Sequence, residues 1–187
     1  MIKSNNIVSR DMLNLLRECK GRKVETLLRT DQDFETSFEV VILRFKDYDL
    51  EIWSLEQPYK EGGLSDLAKI IVKANTEKNS NSPIGRIDRK KNFHPKKFAE
   101  IPINQTISGI TVHNELAKWS NEYGDFLLAN TYAIVISFGT RYLHIVKWPE
   151  WSEIWKVSFS QTPVPKAPEL DESEGDKIEI TYSVFKL

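Results

Sequence analysis

The sequence predicts an α+β fold. We expect a largely antiparallel sheet of six to eight strands, about three helices packed on it, and a C-terminal strand returning through a Pro-rich arm. Three observations carry this prediction. Apolar residues near the N-terminus recur at helical spacing and then switch to a period of two. Two pairs of alternating runs flank short turns, one near Asp47 and one near Gly139. Two further segments, about 65–75 and 114–123, again space their apolar residues as a helix does.

The elements follow in order. Ser9 can cap a first helix, because its hydroxyl reaches a free amide of the first turn. Met12, Leu15, Leu16 and Cys19 then share one face, and Gly21 closes the helix. Residues 22–30 and 36–46 are β-rich. In the second run Phe38, Val40 and Ile42 point one way, and Val41, Leu43 and Phe45 the other. Apolar residues on both faces predict a central strand covered on both sides. Lys46 to Asp49 reads as a turn into a strand carrying Leu50, Ile52, Trp53 and Leu55. Pro58, Gly62 and Gly63 end this unit.

A second helix is predicted from about 65 to 75, capped by Ser65, with Leu67, Ile70, Ile71 and Ala74 as its stripe. Residues 76–97 are polar, then basic, and read as one long exposed loop. Loops of that length are functional or disordered. Ile107, Ile110 and Val112 mark a strand. Asn114 can cap a third helix carrying Leu116, Trp119 and Tyr123, ended by Gly124. The clearest hairpin runs from Tyr132 to Val146 about a turn at Gly139. Trp148 and Pro149 break it, and Trp155, Val157 and Phe159 form a further strand. Pro163, Pro165 and Pro168 stiffen a connector, acidic through 176, which leads to a terminal strand with Ile178, Ile180, Tyr182 and Val184 on one face. The two hairpins echo one another, Phe45, Leu50 and Ile52 matching Phe138, Leu143 and Ile145. Buried hairpins resemble each other in general; a duplication predicts two similar helix-plus-sheet halves.

Composition bounds the function. The 187 residues are 40% hydrophobic and 28% charged, with a formal net charge of −1. That balance is globular rather than disordered. The chain is long enough for one good core, so a single domain over 1–187 is expected. No apolar run approaches the roughly 20 residues that span a bilayer, so no membrane role is expected. The lone Cys19 excludes a disulfide framework within one chain. No apolar segment follows the N-terminal Met1, and with one cysteine the cytoplasm is the expected location. The small net charge hides two opposed blocks. Residues 86–97 carry a net +5, and residues 169–179 a net −5.

Motifs for catalysis are sparse. Gly62-Gly63 lacks the lysine of a phosphate-binding loop. His94, His113 and His144 are far apart in sequence, and no cofactor or metal is expected. His113-Asn114-Glu115 has the His-x-Glu spacing of zinc deaminases, without their cysteine pair. Glu18-Cys19-Lys20 matches a nuclease tripeptide but falls at the end of a predicted helix. Asp47 and Asp49 fit a cation or, more simply, a turn. Cys19 belongs to the apolar stripe of the first helix and reads as a small buried hydrophobe.

The candidate binding residues are therefore Arg86, Arg89, Lys90, Lys91, Phe93, Lys96 and Lys97, with Trp148 and Trp151 at a strand end. Cations on a loop can meet phosphates, and Phe93 can stack on a base. The same cations can meet an acidic protein, the chain's own acidic block, or solvent alone. The tryptophan pair is either a partner hot spot or a corner of the core.

The run from Leu43 through Arg44, Phe45, Asp47 and Leu50 to Ile52 resembles hairpins of small bacterial proteins, some immunity proteins that neutralise toxins among them. The resemblance covers about ten residues and implies a non-catalytic binder. The sequence thus leans away from an enzyme. It points to a protein-binding protein, of immunity-like or inhibitor type, acting through charged segments. Nucleic-acid binding through 86–97 is the alternative, and a nuclease or hydrolase without a recognised motif is the second alternative. Head-to-tail self-association through the opposed blocks is a further expectation.

Overall fold

A computed structural model describes residues 2–30, 40–56, 68–75, 98–121, 124–147, 155–167 and 178–187. These form one α-helix and eleven strands. In chain order they are β1 (Ile2–Asn6), α1 (Arg10–Glu18), β2 (Lys23–Thr30), β3 (Val41–Arg44), β4 (Asp49–Glu56), β5 (Ala68–Asn75), β6 (Phe98–Thr106), β7 (Gly109–Asn121), β8 (Gly124–Phe138), β9 (Arg141–Lys147), β10 (Trp155–Ser160) and β11 (Glu179–Lys186). The α+β expectation is therefore corrected: the described chain is mostly antiparallel β-sheet with one helix.

The helix forms as its sequence dictates. Ser9 Oγ accepts from the Met12 amide at 3.3 Å, and Gly21 takes a left-handed φ of 82° just beyond the helix. Leu16 and Cys19 are buried in the core.

The other two expected helices are strands, for the same physical reason. Over residues 68–75 the predicted second helix is β5, which pairs with β4 along its whole length, Ile70 opposite Ser54 and Val72 opposite Ile52, while Ser65 and Leu67 lie outside the described residues. The β-branched run Ile70-Ile71-Val72 favours that outcome. Ile70 and Val72 face the core while Ile71 is only half-buried, so the alternation is that of a strand. Over residues 114–121 the predicted third helix is the second half of β7; Tyr123 lies outside the described residues. Its partner is the first half of β8, with Ala117 opposite Leu128 and Trp119 opposite Phe126. Gly124, at φ 128°, belongs to a hairpin rather than a helix end. Helical spacing is present in both segments, but in each a strand partner is on offer along the described length and the apolar residues pair across it. Structure also begins earlier than Ile107, since β6 starts at Phe98.

The strands make two sheets. One runs β5-β4-β3-β2-β6, antiparallel throughout. Its register shifts between Val24 and Thr26, where β6 carries an extra residue and Asn104 sits at φ 52°. Asparagine tolerates that left-handed backbone, and Pro102 fits because β6 is an edge strand. The other sheet runs β10-β9-β8-β7-β11. β1 joins it parallel to β8, at residues 126–130, while β9 pairs with β8 at residues 133–138. The two lie end to end beside one long strand.

One core joins the sheets and the helix. Val41, Leu43, Leu50, Ile52, Ile70 and Val72 from the first sheet meet Ile110, Val112, Ile134, Ile136, Leu143 and Ile145 from the second. The two echoing hairpins thus contribute to the same core. The echo does not extend to a second helix, because β7 precedes the second hairpin. β3 is the middle strand of its sheet, as expected, with Leu28, Val40, Ile42 and Trp53 clustered on its other face. The arm expected after β10 is described as far as Ala167, which packs on Tyr132, Ala133 and Val146. Among the described residues β10 and β11 are opposite edges of one sheet. Among the described residues no helix is long and apolar enough to cross a membrane.

Candidate functional site

The nine residues singled out from sequence, Arg86, Arg89, Lys90, Lys91, Phe93, Lys96, Lys97, Trp148 and Trp151, all lie outside the described residues. So do His94 and the acidic block up to Lys177. The lesser candidates are described. Asp47 and Asp49 do not converge: Asp47 Oδ2 pairs with Arg22 Nη1 at 3.0 Å, and Asp49 Oδ1 with Arg44 Nε at 3.3 Å. Cys19 is fully buried beside Tyr48, its Sγ 3.4 Å from the phenol oxygen, and burial pushes the thiol pKa up. A protonated, enclosed thiol is not a nucleophile.

His113 and His144 do come to one face of the second sheet, on either side of β8. Burial lowers the pKa of His113, and the neighbouring His144 lowers it further. His113 Nε2 shares a hydrogen bond of 2.9 Å with the Thr111 hydroxyl, and His144 Nε2 donates to the Thr162 carbonyl at 2.9 Å. No group of three or more His, Cys, Asp or Glu that could hold a metal occurs among the described residues.

Below these histidines lies a buried polar network that sequence reading missed. β8 carries an extra residue, Tyr132, between its pairing of Ala133 with His113 and of Thr131 with Asn114. At the same point its other edge passes from β9 to β1. Lys147 ends β9 at this joint and is 0% exposed. Its Nζ donates to Asn130 Oδ1 at 2.8 Å, and Asn130 Nδ2 donates to Glu115 Oε1 at 2.8 Å. The Thr131 hydroxyl donates to Asn114 Oδ1 at 2.6 Å and accepts from the Val8 amide at 3.0 Å. Burial pushes the Lys147 amine down to about 7, against an upward pull from Glu115. An amine near neutral pH can act as a base or nucleophile, but this one is enclosed. Its chemistry is to tie β7, β8, β9 and, through Val8, the chain just after β1.

The surface offers a different feature. β11 pairs with β7 on one side, Tyr182 opposite Glu115 and Val184 opposite His113. Among the described residues its other side has no strand partner. Tyr182, Val184 and Phe185 are 48–50% exposed. Ile178 and Ile180 pack on Ala117, Trp119, Phe126 and Leu128, and the Tyr182 ring meets the Tyr132 ring edge-on at 5.6 Å. The strand is held at both ends, the Leu187 amide donating to the Ile110 carbonyl at 2.9 Å and the Leu187 side chain packing on the main core. An open groove of about 600 Å³ lies beside Lys118, Trp119, Asp125 and Glu179; another, of about 780 Å³, lies at the far side of the sheet between Gln105, Arg141 and Phe159. The signal for β11 was legible in part. Ile178, Ile180, Tyr182 and Val184 alternate along the last segment, which marks a strand that joins a sheet.

Searches with protein-family models, among curated proteins and among solved structures return no match for the chain.

Proposed function

We propose that this chain is a protein-binding protein that takes up an extended partner segment along β11, an edge strand of its sheet among the described residues. The observation that carries the reading is the eight-residue edge strand with Tyr182, Val184 and Phe185 about half exposed. An edge strand presents unpaired backbone donors and acceptors, and natural proteins guard such edges with charge, proline or a bulge. Between Ile180 and Phe185 this strand has none of these. Strand addition would supply main-chain hydrogen bonds, with alternate side chains giving selectivity. An immunity-like or inhibitor role, and a cytoplasmic location, belong to the same proposal. The version that relied on Arg86 to Lys97 rests on residues outside the described ones.

The test is capture from source-cell extract, with cross-link mapping, for the native chain and for Val184→Lys. Val184 is half exposed, so the variant should keep its far-ultraviolet spectrum and melting temperature. The expected result is a partner cross-linked to residues 178–187 and lost with Val184→Lys. Partners retained undiminished by the variant would overturn the reading.

A further inference from the structure

We infer that Lys147 and Asn130 become joined by an isopeptide bond, formed within the folded chain as the Lys147 amine displaces ammonia from the Asn130 side-chain amide. The reactants are already assembled. Lys147 Nζ donates to Asn130 Oδ1 at 2.8 Å. The carbonyl carbon Cγ lies one C=O bond, about 1.2 Å, beyond that oxygen. A turn of the amide about Cβ–Cγ brings Cγ to the roughly 3–3.5 Å at which an amine and a carbonyl react. The partners fix which way the amide points. The amine donor faces its oxygen, and the Glu115 carboxyl, which accepts at 2.8 Å, faces its nitrogen.

The surroundings suit the reaction. Burial holds the Lys147 amine at about 7, so much of it carries a lone pair at neutral pH. Lys147, Asn130 and Glu115 are 2% exposed or less, which keeps water from competing for the carbonyl. The enclosure that shuts outside substrates away from this amine leaves the Asn130 amide as its electrophile. The Nζ lone pair forms the new bond to Cγ. Glu115, which holds the leaving nitrogen, takes one proton from Nζ and delivers it to Nδ2. The Cγ–Nδ2 bond breaks, and Nδ2 departs as ammonia with the bonding pair. A secondary amide remains, Glu115 ends as it began, and nothing is oxidised or reduced. Asn6 stands opposite Asn130 across β1 and β8, and its buried Nδ2 has no hydrogen-bond acceptor among the described residues. It is a donor in register with the oxygen on which charge develops. The bond lies just past Ala133 and Val146, the last pair of the β8–β9 ladder. It clamps β9 where β1 takes over the edge, in a chain whose single cysteine allows no internal disulfide. It is independent of docking at β11.

The experiment is mass spectrometry of the purified native chain, intact under denaturing conditions and then digested. The expected intact mass is that of the sequence less one ammonia. The digest should contain a branched peptide joining the segments around Asn130 and Lys147, and Lys147 should resist acylation in the denatured chain. Lys147→Met should keep its full mass. So should Glu115→Gln, which retains an acceptor for Nδ2 but carries no proton. A native chain of full sequence mass would overturn the bond, as would an ammonia loss located at a succinimide with Lys147 still reactive. A Glu115→Gln chain bridged as completely as the native one would overturn the proton route through Glu115. The native chain decides the bond by itself, so a variant that fails to fold leaves the test intact.

Discussion

The middle strands of the two sheets make an instructive pair. In the first sheet β3 sends Val41 and Leu43 into the shared core, while Ile42, with Val40 just before it, forms a cluster on the other face, and all four are buried. In the second sheet β8 does the same in its second half, with Ile134 and Ile136 in the core, but before Tyr132 it places Asn130 and Thr131 at buried positions. Length is the difference. β3 has four residues and one neighbour on each side. β8 has fifteen, and must take β9 and β1 in succession along one edge. Where one neighbour stops and the next starts, the ladder is broken, and buried backbone and side-chain groups there need other partners. Lys147, Asn130, Glu115, Asn114 and Thr131 occupy that break. A short strand can be closed by apolar packing alone; a long one acquires a polar joint.

Three substitution series would break or sharpen this comparison. The largest effects should come from the core that both middle strands share. Leu43→Ala and Ile134→Ala should each cost about 2–5 kcal/mol in urea unfolding, since both side chains are fully buried and leave cavities. Equal costs in the two sheets would support a common core. A cost near zero for either would separate that sheet from it.

Next comes the pH dependence of the joint. As a free amine Lys147 is held near 7 when folded, against an ordinary value of 10.5. Between those values the unfolded chain carries a proton that the folded chain lacks. Stability should therefore rise with pH across that window, by up to about 1.4 kcal/mol per pH unit. It should be lowest below 7, where burying the charged amine costs most. Lys147→Met should flatten the rise, and Leu43→Ala should leave it intact. A chain of full sequence mass whose stability is level from pH 7 to 10 would contradict the assignment.

The smallest effects should distinguish covered from open surface. Ile42→Val, on the outer face of β3, should cost about 0.5–1.5 kcal/mol. Val184→Thr, on the open edge, should stay within about 0.5 kcal/mol of the native chain. If Val184→Thr costs as much, its side chain is covered in solution by a partner or by another part of the chain.

Much of the first sheet was legible in the residues. Ser9 and Gly21 announced the helix and its end, and the double-sided pattern from Val40 to Phe45 announced a central strand. The hairpin about Gly139 was equally plain, because glycine at φ 69° is what its turn needs. Ile70, Ile71, Leu116 and Trp119 misled, since short apolar runs satisfy helical and strand spacing together. The polar joint had only a faint trace, the pair Asn130-Thr131 inside an apolar run, and nothing linked it to Lys147 or Glu115.

Local chemistry therefore determined the helix cap, the turns, the alternation of β3, β8 and β9, and the buried state of Cys19. Those outcomes depend on neighbours a few residues away. Tertiary structure decided which remaining segments became strands, that β1 and β9 share one edge of β8, and that β11 joins the sheet beside β7. Strand pairing links residues far apart in the chain, and its free energy depends on the partner edge on offer. No segment carries that information within itself.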